Sequence, residues 1–214
     1  MRELWPEARC NNLLDDSLAS DLAALGELTP EIFERFLALG RYAAQASDGR
    51  GPTAGILFTC SAFGPAIDRV KADLGIPVLA PNEGAFDEAL EICRLAADGG
   101  RIGLLLTFSG SLAPLSAEMQ AIAAARGQRP PDVIGGVAEG ALAALQEGDA
   151  ASHDRLIVEA ARQMPPVDVL VLGQFSMMRS AAAVRAMRRE PVLTTPQSAV
   201  RKLRRLVDAR RSPA

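Results

Sequence analysis

The chain has 214 residues, 49% of them hydrophobic, enough for one large α/β domain or two small ones sharing an interface. Its 23 Lys and Arg stand against 26 Asp and Glu, a formal charge of -3, so no global field favours nucleic acid or an anionic membrane, and a small molecule is the expected partner. Three cysteines without a C-x-x-C pair, and one histidine, supply no recognisable Zn or Fe–S ligand set, so no metal is expected. No apolar run reaches the roughly 18–20 residues of a membrane span, and Met-Arg-Glu-Leu-Trp-Pro-Glu lacks the pattern of a secretion signal. Scattered thiols in odd number favour a reducing cytoplasm.

In chain order, the first predicted helix is 30–47, opened by Thr29-Pro30. Strand 54–59 leads through Thr59-Cys60-Ser61 into helix 64–74, and strand 76–80 leads through Pro81-Asn82-Glu83-Gly84 into helix 84–98. Strand 101–107, helix 114–127, strand 132–135 and helices 137–147 and 150–163 follow. Strand 167–172, a helix at 177–189 started by Ser176, strand 191–193 and helix 196–210 complete the pattern. The runs at 54–59, 101–107 and 167–172 read as continuous apolar runs, as strands covered on both faces should.

Strands alternating with helices predict an α/β fold with parallel sheets. The order strand, polar loop, helix, strand, helix occurs around 54–98 and again around 167–210, which predicts two pseudo-symmetric half-domains, each a mainly parallel sheet flanked by helices. Residues 1–98 with 190–214 are read as the first, carrying Cys60, and 99–189 as the second, carrying Gln174.

Parallel folds bind ligands outside the carboxyl ends of their strands, where loops and helix N-termini converge. Four loops compete for that face: Thr59–Gly64, Thr107–Ser111, Gly173–Ser176 and Thr194–Ser198. Each is rich in hydroxyls or amides and lacks fixed charge, which suits a carboxylate held by neutral donors and helix dipoles. Cys60 precedes a helix whose amides favour a thiolate, making it a base or nucleophile; a buried, inert cysteine is the alternative. Cys93, in an Ala/Leu helix, reads as packing, and Cys10 precedes Asn11-Asn12. His153 reads as an exposed residue at a helix start, and Glu83 as either a rim carboxylate or an ordinary first-turn acid. The basic run from Arg201 to Arg211 reads as a solvated helix face, and the glycines form no phosphate-binding array. Phe58, Phe63, Phe108 and Phe175, near the loops, fit a partly apolar pocket or the core.

Phe58-Thr59-Cys60-Ser61-Ala62-Phe63, Pro77-Val78-Leu79 followed by Glu83 and Ala85, Gly103–Thr107, Leu172–Met177 and Thr194–Val200 together resemble the aspartate/glutamate/hydantoin racemase superfamily, which includes maleate isomerases and arylmalonate decarboxylases. The resemblance runs approximately from Asn12 to Val200. It implies facing half-domains with the site at their interface, a homodimer, no cofactor, and a cysteine from each half moving a proton at the carbon next to a carboxylate. Cys60 matches the first of those cysteines; Gln174 stands where the second is expected, and an amide does not titrate near neutral pH. Family members usually begin with a core strand; Ala8–Leu14 is the stretch available for it, and a leading strand is expected to be absent from this chain.

The resemblance leaves three readings. Cys60 moves a proton while Gln174 hydrogen-bonds the enolate, in an isomerase, a decarboxylase or another lyase. Alternatively Cys60 adds to an unsaturated acid, or the chain binds carboxylates without turnover. The residues expected to bind substrate are Asn12, Ser61, Ala62, Glu83, Thr107, Ser109, Ser111, Phe175, Ser176, Thr195 and Ser198.

Overall fold

All six predicted apolar runs form parallel strands in the computed structural model, which describes residues 3–47, 49, 51–94 and 100–211. β1 (Ile56–Leu57) pairs with β2 (Val78–Leu79) in a two-stranded sheet. β3 (Arg101–Leu106), β4 (Asp132–Val137), β5 (Val169–Leu172) and β6 (Val192–Thr194) form a second sheet in the order β4-β3-β5-β6. Chain contacts divide the protein into two units. One runs to Pro81 and resumes at Ala199; the other is Asn82–Ser198.

In the first unit, α1 (Ser17–Leu25), α2 (Pro30–Gln45) and α3 (Gly64–Asp73) accompany β1 and β2. Ile32, Phe36 and Leu37 of α2 recur at helical spacing and pack with Phe63, Ile67, Val70 and Val78. Phe36 stacks on Phe58 and contacts Phe63, so two of the phenylalanines near the Cys60 loop belong to the core. Helix α1 was not expected from sequence. The stretch Ala8–Leu14, offered as an early strand, carries no sheet pairing, and Cys10 to Leu14 are exposed.

In the second unit the strands alternate their side chains between two apolar layers. Ile102, Leu104, Leu106, Val169 and Val171 face α4 (Glu83–Cys93) and α5 (Leu112–Ala125). Leu105, Leu170 and Leu172 pack with α6 (Ala141–Gln146), α7 (Ala150–Gln163) and α8 (Ala181–Met187). Because both faces are covered, β5 is buried at every position, as its unbroken apolar run predicts. Helix α4 buries Phe86, Ala89 and Leu90 in the layer against β3 and β5, so the boundary falls after Pro81 rather than near 98. Residues 95–99, within the helix expected at 84–98, lie outside the described residues.

Several boundaries differ from expectation for local reasons. β4 extends to Val137, and α6 starts only after Gly140, whose φ of 77° suits a residue without a Cβ. Ser176 does not start a helix: Phe175–Ser180 is a 3-10 turn, and α8 begins at Ala181. Gly173 must lack a side chain, because a Cβ there would lie 2.4 Å from Leu106 Cδ2. Helix α9 (Thr195–Arg211) starts one residue before the expected Pro196 and ends the described chain.

His153 is fully buried on α7, not exposed. Its Nδ1 lies 2.9 Å from Asp154 Oδ1, and Arg179 Nε donates to Asp154 Oδ2 at 3.2 Å, fastening the 3-10 turn that follows Gln174 to α7. Burial opposes the charge on Asp154, but its bonds to His153 and Arg179 outweigh that and hold the carboxyl below its ordinary value. A depressed folded-state value gives stability that is complete above the unfolded value and is lost as pH falls through the folded one. Asp154→Asn is therefore expected to flatten the loss of stability from about pH 5 downward, read as urea midpoints against pH; an unchanged acid limb would contradict this.

Candidate functional site

The order β4-β3-β5-β6 creates a topological switch point. From β3 the chain passes outward to β4, whereas β5 lies on the other side of β3 and leads to β6. Connections leave in opposite directions there, so the crevice outside the carboxyl ends of β3 and β5 is where an open parallel sheet receives a ligand. Thr107 follows β3, and Gly173-Gln174 follow β5.

Register brings these two residues together. Leu105 pairs with Leu172, so two residues further along, on the same face, Thr107 meets Gln174. Gln174 Oε1 accepts from both the backbone N and the Oγ1 of Thr107, each at 2.7 Å. A backbone N–H can only donate, so the atom facing it is the amide oxygen and not the nitrogen. The Nε2 group, with its two donors, is left to meet other acceptors. Thr107 is buried and Gln174 half-buried, which keeps the clasp partly shielded from water.

Residues 108–111, 175–178 and 194–198 carry no charged side chain, whereas the loop after β4 carries Glu139. Ser109–Ser111 form a 3-10 turn, with Ser109 exposed and Ser111 half-buried. Phe175 and Ser176 are half-buried at the start of the 3-10 turn after Gln174. Thr195 and Ser198 are fully buried; Ser198 Oγ donates to Glu88 Oε2 at 2.9 Å, while Thr195 Oγ1 has no hydrogen-bond partner. Glu83 is the first residue of α4, the ordinary place for a first-turn acid. Asn82 just before it, which sequence reasoning did not single out, is buried with its Nδ2 unpartnered. A buried donor left so costs roughly 1–3 kcal/mol, which an acceptor on a ligand would recover.

In the first unit, Cys60 is exposed, three residues beyond β1. Ser61–Phe63 form a 3-10 turn between it and α3, with Ser61 half-buried and Ala62 exposed. Its extended backbone (φ −120°, ψ 122°) continues the line of the strand before the chain turns. Cys10 is a free exposed thiol; Cys93 is buried in the layer against β3, as its apolar helix predicts. Asn12 lies exposed in the unpaired stretch before α1. Among the described residues, no group of three or more His, Cys, Asp or Glu side chains is placed to hold a metal ion.

Residues 34–203 match the Asp/Glu/Hydantoin racemase family, and the chain belongs to that family. No curated protein sequence matches it. Its fold is that of glutamate racemase RacE1 from Bacillus anthracis, with a TM-score of 0.57 at 12% identity over 85% of this chain and 67% of that one. Arylmalonate decarboxylase gives a TM-score of 0.55 at 15% identity over 86% and 78%. Allantoin racemase from Klebsiella pneumoniae gives 0.54 at 18% identity over 83% and 65%.

The Thr107 clasp is open to a direct test. Thr107→Val removes the O–H donor and keeps the N–H, so about 0.5–1.5 kcal/mol of stability should be lost in denaturant unfolding. No loss, with Gln174 mobile in the wild-type protein by side-chain amide NMR, would show that the clasp does not form.

Proposed function

We propose that the protein is a cofactor-independent isomerase of the racemase or epimerase type, or a cis–trans isomerase, that moves a proton at the carbon next to a carboxylate. Cys60 is its sole catalytic thiol. The observation that supports this most is the orientation of Gln174, whose amide oxygen is occupied by Thr107 so that only N–H donors remain to offer.

In this mechanism the Cys60 thiolate takes the proton from the α-carbon, and the C–H electron pair passes onto the carboxylate as an enolate. Gln174 Nε2 donates to the oxygen where that charge collects, and the Cys60 thiol returns the proton: to the same face, which exchanges it with solvent, or, after the planar enolate turns over in the site, to the opposite face, which inverts the centre. A preorganised donor of this kind stabilises the charged intermediate without giving up a proton itself. Substrate binding is assigned to Ser61 and Ala62 beside Cys60, to Asn12 and Glu83, and to the uncharged loop residues Thr107, Ser109, Ser111, Phe175, Ser176, Thr195 and Ser198, whose hydroxyls and amides suit one carboxylate.

The non-titrating Gln174 also favours a second reading, decarboxylation of a small carboxylic acid or another lyase reaction. There the bond to CO2 breaks, its electron pair forms the enolate, and a proton is needed only once, from Cys60. The three free thiols and the near-balanced charge accord with a cytoplasmic enzyme acting on a small carboxylate, with neither nucleic acid nor a membrane as partner. No helix among the described residues is long and apolar enough to cross a membrane. As in the resembling family, the working form is proposed to be a homodimer.

Cys60→Ala should abolish turnover with circular dichroism unchanged, and Gln174→Ala should lower kcat by about 10²–10³-fold. Iodoacetamide at neutral pH should modify Cys60 ahead of Cys10 and Cys93, with protection by a dicarboxylate. Equal, slow modification of all three thiols, or full turnover in Cys60→Ala, would overturn the assignment.

A further inference from the structure

The second unit carries a charged groove that the candidate site does not use. One stripe of α7, with Arg155, Val158, Glu159 and Arg162 at helical spacing, lines it together with Asp154 and with Arg179 of the 3-10 turn Phe175–Ser180; its volume is ≈ 630 Å³. Charges on an exposed helix face are ordinarily just solvated. Here three guanidiniums from two separate elements border one concavity.

Their donors are largely unspent. A guanidinium is a fork of N–H donors without an acceptor, and it stays charged at any physiological pH. Arg179 uses its Nε on Asp154 Oδ2 at 3.2 Å. Arg155 reaches only a 3.8 Å ion pair with Glu159, beyond hydrogen-bond length, and Arg162 makes no hydrogen bond or ion pair among the described residues. Asp154, by contrast, is bonded on one oxygen to His153 and on the other to Arg179. Cations outnumber acids around the groove, so its favoured occupant is an anion.

Geometry selects among anions. Arg155 and Arg162 stand about two helical turns apart on α7, while Arg179 comes from a different element, so the donors arrive from different directions. A planar carboxylate presents its two oxygens in one plane. A tetrahedral phosphate monoester presents oxygens on several sides, with a charge of about −1.5 to −2 at neutral pH, and can engage guanidiniums from both elements at once.

We propose that this groove binds a small phosphate-bearing molecule, held by Arg155, Arg162 and Arg179. Neither Cys60 nor Gln174 lines it, so the site does not rest on the carboxylate reading above. It is coupled to Gln174 all the same. Arg179 lies in the turn that begins directly after Gln174, and a phosphate on Arg179 competes with Asp154 for the bond that fastens this turn to α7.

The test is isothermal titration of the full-length protein with inorganic phosphate and with glycerol 3-phosphate, each against sodium chloride at matched ionic strength. Saturable binding of at least one probe is expected, and the tighter of the two tells a free phosphate from an ester. Arg162→Gln and Arg179→Gln should each weaken it about tenfold. Arg162 is exposed and holds no bond among the described residues, so its replacement costs the fold nothing. Glu159→Gln and Asp154→Asn should tighten binding several-fold, because each removes a repelling charge and the second also frees Arg179. Binding no stronger than the chloride control, affinity unchanged in Arg162→Gln and Arg179→Gln, or weaker binding in Glu159→Gln would overturn the proposal.

Discussion

The oxygen of Gln174 is held by two donors from Thr107, one of them a backbone N–H that has no acceptor capacity. That constraint decides which end of the amide is spent inside the protein and which end is offered outward. It exists because β3 and β5 are neighbours in parallel register, and because Gly173, the residue before Gln174, lets the strand pass close to Leu104 and Leu106. A shift of one residue between these strands would carry the glutamine to the opposite apolar layer. Register here is fixed by burial on both faces, with Leu104 and Leu106 on one side and Leu105, Leu170 and Leu172 on the other.

The surroundings of the clasp are built from the same economy of neutral groups. The 3-10 turn after Gln174 is tied to α7 through Arg179 and Asp154, and Asp154 is in turn bonded to the buried His153. Charge is thus used behind the turn to anchor it, while residues 107–111, 173–178 and 194–198 carry no charged side chain. In the proposed mechanism the Gln174 amide offers a donor to developing negative charge without itself titrating. The family to which the chain belongs includes racemases, and a glutamine at the position where the resemblance leads one to expect a thiol bears on the chemistry while leaving the fold intact.

Much of the fold could be read from the sequence because its signals are local. The apolar runs that became β3 and β5 are continuous, and Thr29-Pro30 marks the start of α2 where the structure has it. Cys93 was read as packing from the Ala/Leu pattern around it and is buried. What failed depended on tertiary context. His153 sits among polar residues, Ser152 and Asp154, and reads as exposed; it is buried, and its partner Asp154 is bonded to Arg179, distant in sequence. Ser176 resembles a helix cap, yet the chain first makes a 3-10 turn there. The Thr107–Gln174 clasp spans 67 positions and requires the pairing of two strands that are not consecutive. Thr107 and Gln174 could each be singled out, but the bond between them could not. Asn82 gave no signal, since an asparagine before a helix is an ordinary cap choice.

The central claim is that one thiol, Cys60, exchanges a proton at the carbon next to a carboxylate while an oriented amide holds the resulting charge. Mass-spectrometric detection of solvent deuterium at that carbon, with amino acids, hydantoins, maleate and substituted malonates incubated with the enzyme in deuterated water, tests it most directly. The account predicts that label enters at least one of these acids with the wild-type protein and none with Cys60→Ala. Label entering at the same rate in Cys60→Ala, or an acid that binds the wild-type protein and never acquires label, would contradict it.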